Sequence, residues 1–171
     1  YAFISTLVSM IGYGVAKAPD MPAKKRLSEF LAALTSDENT YFLRSFQALN
    51  VPEAEQTDPA LLPVSQAFLD HLNDAGINGE YGDIIATLLA AEWVYLTWGL
   101  AEADKQPDAF WCREWIDLHA NPVFEEFVNW LRDQVDHLAA RGDQALNDRM
   151  TSRFLRMVDL EVAFFDAAYT G

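Results

Sequence analysis

The stretch Leu88–Gly99, LLAAEWVYLTWG, sits inside a run from Ile84 to Leu100 in which Glu92 is the only charged residue. Steps of three and four place Ile85, Leu88, Leu89, Glu92, Tyr95, Leu96 and Gly99 on one side of a helix, so the acid points where its apolar neighbours point. An unpaired carboxylate is costly to take out of water; a buried one is paired, hydrogen-bonded or held protonated by a raised pKa. The run therefore predicts a core helix and a chemically unusual acid together. It is slightly short for a membrane span, contains Glu92 and lacks flanking Lys or Arg, so we read it as the centre of a helical bundle rather than a transmembrane segment.

Outward from this core helix, expected over about Gly82 to Ala103, period 3.6 dominates and strict alternation is nearly absent, which makes the fold class all-α. A mostly apolar helix is expected from Tyr1 to Ala18, punctuated by Pro19 and Pro22. Leu27, Phe30, Leu31, Leu34, Phe42 and Phe46 predict one long helix from about Ala23 to Leu49, or a pair broken around Thr35 and Ser36. A polar connector, Glu53 to Pro59, precedes a helix from about Val64 to Asn73 and a loop holding Gly76 and Gly79. A short helix follows over Phe110 to His119. Asn121 then Pro122 is a start signal, an N-cap followed by proline at the first helical position, with Glu125 and Glu126 near the positive end of the dipole. That helix is expected to stop at Gly142, and the last to run from Gln144 to about Tyr169. Antiparallel helices joined by short loops around one nearly all-apolar member make a compact bundle in one domain, 1–171.

The last helix repeats the pattern of the core helix. Phe154, Met157, Val158, Glu161, Phe164, Phe165 and Ala168 share a face with Glu161 in its middle. Two carboxyls facing each other in an apolar site push their pKa values apart, leaving one as general acid and one as general base. The alternative is that each acid is separately satisfied and only fixes helix register. His119 shares a face with Trp111, Trp115 and Leu118 and points inward. Asp133 and His137 lie in the polar stretch RDQVDH and read as a solvated face. Cys112 has no histidine partner at a known local spacing. GxSxG, HExxH, paired CxxC and glycine-rich phosphate loops are absent from the sequence, so nucleotide-dependent and zinc-dependent mechanisms have no support. No metal ligands and no cofactor are assigned.

With 171 residues, half of them hydrophobic, the chain is long enough for a sizeable core, and its 13% of aromatic residues supply walls for flat ligands. A formal charge of -14 opposes nucleic-acid binding, which relies on a basic face. One cysteine excludes an internal disulfide and makes the cytoplasm the default compartment.

The ordered pieces YAFISTLVSMIGYGVAKAPD, AAEWVY, REWIDLHANPVFEEFVNWL and LEVAFFDAAY together resemble the TenA family, also called thiaminase II or aminopyrimidine aminohydrolase. The resemblance implies the heme-oxygenase-like helical fold, usually a homotetramer, and hydrolytic salvage of an aminopyrimidine for thiamin synthesis. The family's catalytic glutamate falls on Glu161, its following aromatic on Phe164, and an orienting tyrosine on Tyr95. The nucleophilic cysteine of the commoner branch falls on Ala91, beside Glu92, which makes the chain similar to a second branch that relies on acids. Pocket positions that are often tyrosine read Phe3, Phe68 and His119. The resemblance also implies that the family's first helix, with a pyrimidine-holding aspartate, would precede Tyr1.

The expected function is thus a cysteine-independent hydrolase of a C–N bond on an aminopyrimidine. Glu161 and Glu92 would be catalytic, Phe3, Phe68, Phe164 and Trp93 would stack on the ring, and Tyr95 and His119 would hydrogen-bond to its edge or to an acid. The alternative is a non-catalytic small-molecule-binding or regulatory protein, suggested by Ala91 and the three lost hydroxyls. A carboxylate-bridged metal oxygenase is disfavoured because no E-x-x-H pair occurs.

Overall fold

A computed structural model describes residues 2–170, and all regular structure among them is helical. Tyr1, where the first helix was expected to open, lies outside the described residues. The order is α1 Ala2–Lys17, α2 Met21–Ala33, a π-helical turn Leu34–Glu38, α3 Asn39–Leu49, α4 Glu53–Thr57, α5 Pro63–Ile77, α6 Tyr81–Glu102, α7 Phe110–His119, α8 Pro122–Arg141 and α9 Gln144–Thr170. The starts have local causes. Asp20 accepts from the Ala23 amide at 2.9 Å and Asn121 from the Phe124 amide at 2.9 Å, each satisfying an orphan donor of the first turn. Glu80 and Asp83 form a reciprocal capping box at the head of α6. At the end of α3, Asn50 takes a left-handed conformation, φ 55°.

Three elements differ from the sequence expectation. The segment read as one helix or a pair broken around Thr35 and Ser36 is a pair interrupted there, but the interruption stays helical: a π turn, Leu34–Glu38, in which the Asn39 amide reaches back to the Leu34 carbonyl. The polar connector contains a short helix, α4. Helix α5 continues past Asn73 to Ile77. Its C-terminal carbonyls are held by a side chain from another helix, the Lys17 ammonium donating to Gly76 at 2.7 Å and Gly79 at 2.6 Å.

Helix α6 is the axis. Every residue from Tyr81 to Glu92 is buried, and α1, α5, α7, α8 and α9 all pack against it. It is long and apolar enough by composition to cross a membrane, but here its apolar side chains Ile84, Ile85, Leu88 and Leu89 are spent on the core with Leu72, Leu131 and Met157. Burying one such leucine contributes about 2–3 kcal/mol, which is why the surrounding helices assemble on it.

Candidate active site

Two of the few buried charged residues are the two acids singled out above. Glu92 is 5% exposed and Glu161 1%. Both oxygens of Glu161 are enclosed with no hydrogen-bond partner, and burial raises its pKa to about 8. Burial also drives the Glu92 pKa well above the ordinary carboxylate range, and the charges of Glu38 and Glu161 add to the shift. Tyr95 lies between these groups: burial raises its hydroxyl, and then the charges of Glu161, Glu92 and Glu38 do so in turn. Thus α6 and α9, the most closely packed pair, bring Glu92, Tyr95 and Glu161 into one electrostatic cluster.

Glu38 completes the cluster, and the sequence reading missed it. Burial raises it to about 7. It was passed over because Leu-Thr-Ser-Asp-Glu reads as a polar break. The signal was nonetheless present: steps of three and four run from Leu34 through Glu38 to Tyr41 and Ser45, and the other three are all buried. The π turn ends on this residue, and such turns recur at functional sites.

The expected single cavity holding both Glu92 and Glu161 divides into separate chambers. A cavity of about 310 Å³ opens on Glu92, Glu38 and His119. A second, of about 220 Å³, lies over Phe3, Phe68 and Phe164. The three phenylalanines meet with ring centroids 5.8–6.2 Å apart. Phe164 continues to Phe165 at 5.3 Å, and Phe165 to Tyr95 at 6.2 Å, so an unbroken aromatic path joins the second chamber to the acids. The Glu161 carboxyl faces neither chamber openly; it is sealed in the interior, and the residue touches an outer crevice between α6 and α9.

His119 is buried at the end of α7, its ring 5.3 Å from that of Tyr95. Its Nδ1 lies 2.7 Å from the Trp115 carbonyl, which only accepts, so Nδ1 carries the proton and Nε2 is left as an acceptor. Burial lowers its pKa and keeps the ring neutral. Trp93 is placed apart from these groups, on the outer side of α6, 39% exposed, with the Arg132 guanidinium 4.7 Å from its ring centroid and Phe154 beside it. Ala91 is buried next to Glu92. Cys112 is exposed, and the His137 Nδ1 donates to its own helix at Asp133, 2.6 Å away, on the exposed side of α8. Among the described residues no three His, Cys, Asp or Glu side chains are grouped to hold a metal ion.

The model of the TENA/THI-4/PQQC family matches residues 1–171. An aminopyrimidine aminohydrolase of Halalkalibacterium halodurans is 25% identical over 173 residues, covering 99% of this chain and 76% of its own. One from Helicobacter pylori is 19% identical over 171 residues, covering 99% and 79%. Among solved structures, a TenA homologue from Pyrococcus furiosus superposes with a TM-score of 0.85 at 18% identity, covering 99% of this chain and 79% of that one. A protein described as a TenA family transcription regulator, from Silicibacter sp. TM1040, gives 0.84 at 17% identity, covering 100% and 78%. The arrangement of helices is the heme-oxygenase-like bundle of these proteins.

Proposed function

Because this chain belongs to the TENA/THI-4/PQQC family, and relatives matching nearly all of it are aminopyrimidine aminohydrolases, we propose that it hydrolyses a C–N bond of a substituted aminopyrimidine without a cysteine nucleophile. The observation that carries this reading is Glu161: a carboxyl enclosed without a partner and held protonated to about pH 8, whose charge, when present, bears on both Tyr95 and Glu92. A carboxylic acid kept neutral at physiological pH is a proton donor in waiting.

In this reading the ring of the substrate stacks against Phe3, Phe68 and Phe164, with Tyr95 fixing the exocyclic group. Glu161, enclosed in the free protein, is reached when the entering ring displaces the aromatic wall at Phe164, and gives its proton to the departing nitrogen as the C–N bond breaks. Water forms the new C–O bond at the same carbon and yields its proton to Glu92. Aminomethylpyrimidine and water become hydroxymethylpyrimidine and ammonia, and the two acids exchange protons to reset the site. Replacing Glu161 by Gln keeps the volume and removes the acid. The expected result is a fall in ammonia release of about 10²–10⁴-fold, the range of one general acid; unchanged turnover excludes Glu161 from the mechanism.

Ala91 at the position of the commoner branch's cysteine, with Phe3, Phe68 and His119 in place of tyrosines, favours a second reading, a binding or regulatory protein with this pocket. Tight binding of hydroxymethylpyrimidine with no ammonia release from the wild type would select it.

A further inference from the structure

The proposed chemistry uses Glu92 as a base but seats no ligand in the cavity of about 310 Å³ that it faces, between the π turn, α6 and the start of α8. Two carboxyls face it, Glu38 from the π turn and Glu92 from α6, and its apolar walls are Phe30, Phe124 and Phe127. Phe30 and Phe127 are stacked, centroids 4.0 Å apart. Glu92 is 5% exposed, and among the described residues no hydrogen bond or ion pair reaches its carboxyl. A side chain this costly to bury is therefore aimed into an enclosed space without a protein partner. Of the other polar groups on the lining, Asn121 has its amide committed to the Asp117 and Leu118 carbonyls, and His119 has its Nδ1–H committed to Trp115 and offers Nε2 as an acceptor. Arg26 and Glu29 are the remaining charged groups on the lining. Arg26 makes no ion pair with Glu38 or Glu92 but stands over Phe127, 5.9 Å from its centroid, showing that the aromatic wall already draws a cation.

Carboxyl oxygens without a protein donor and a free imidazole acceptor, set against aromatic faces, complement a compact organic cation bearing N–H groups. We propose that this cavity is a binding subsite for an organic ammonium ion held between Glu38 and Glu92, and that it receives the amine leaving the reaction proposed above. The second clause rests on that reading; the first stands on the cavity alone. The charge of the pair suits the ligand. Glu38, which burial raises to about 7, ionises near neutral pH and offers one negative charge to one positive one, with the Glu92 carboxyl beside it as a further acceptor.

The test is calorimetric titration at pH 8 with benzylammonium, and with benzyl alcohol as its neutral counterpart. Folding of each variant is checked by circular dichroism. The wild type is expected to bind the cation at least tenfold more tightly than the alcohol, and Glu38→Gln to abolish that preference. Glu92→Gln should do the same, so the question remains open to experiment if one of the two variants fails to fold. Glu161→Gln should retain the preference while losing hydrolysis, which separates the two proposals. Cation preference without turnover in the wild type upholds the subsite and removes the reaction assigned to it. Equal binding of the cation and alcohol by the wild type overturns the subsite even where hydrolysis is intact. So does a preference that survives both Glu38→Gln and Glu92→Gln.

Discussion

Burial holds the Glu161 carboxyl neutral, and the same burial makes the fold sensitive to alkali. The folded protein keeps this proton to about pH 8 while the unfolded chain releases it near the ordinary value of 4.5. Between those values the native state binds more protons than the unfolded one, so stability falls as pH rises, by up to about 1.4 kcal/mol per pH unit from this residue. The melting temperature is therefore expected to drop between pH 5 and pH 8. Glu161→Gln, which cannot ionise, should flatten that slope and melt higher than the wild type at pH 8; an unaltered slope would show that burial of Glu161 does not govern it. At Gly99 the constraint is steric. A Cβ there would stand 2.7 Å from the His119 carbonyl carbon and 2.8 Å from its oxygen, both backbone atoms that cannot swing aside. Alanine gains about 1 kcal/mol of helix propensity, but forcing α7 away costs about 1–3 kcal/mol. Gly99→Ala is expected to destabilise the fold in urea unfolding and to displace His119; a stabilised variant would contradict this close approach. At this scale the burial of both acids was legible in the sequence. Glu92 and Glu161 were legible because each interrupts a long apolar stripe. Glu38 was not, because its neighbours in the chain are polar and its burial comes from helices distant in sequence.

Helix ends in this protein matter to the site because they set where its walls stand. Asn121 caps α8 and ties its first turn to α7, its amide donating to the Leu118 carbonyl at 2.9 Å. Phe124, one turn on, meets the His119 ring edge-on at 5.3 Å and walls the acid-lined cavity. Asn121→Ala is expected to cost about 1 kcal/mol, read by chemical denaturation. A neutral effect would mean that packing alone sets the start of α8. Asn-Pro made this boundary legible, as the three-and-four spacing of apolar positions made α6 and α9 legible. The π turn was not, since its extra backbone span depends on what α2 and α3 pack against and leaves no local residue signature. Trp93 shows the complementary error. It adjoins Glu92 in sequence, but one step along a helix is a rotation of roughly 100°, which turns it away to Arg132 and Phe154.

Across the whole molecule, the central helix presents acids inward and apolar surface outward. Trp93, Trp98 and Leu100 on α6 and Leu155 and Val162 on α9 are large, apolar and exposed. Such surface is the kind that self-association covers, and it supports the proposal of a homotetramer; light scattering on the eluting peak should give four times the chain mass, and a monomer would refute it. A net charge of -14 suits a protein that draws cationic amines to an acid-lined chamber, since a field of one sign raises the encounter rate of opposite charges. The proposed mechanism requires Glu161 to serve a planar ligand seated among Phe3, Phe68 and Phe164. The most direct measurement is a crystal structure of the protein with hydroxymethylpyrimidine. It should show the ring against those three side chains, with its hydroxymethyl oxygen in hydrogen-bonding reach of Glu161. A ring bound elsewhere, or a Glu161 carboxyl still enclosed and out of reach of the ligand, would contradict the mechanism.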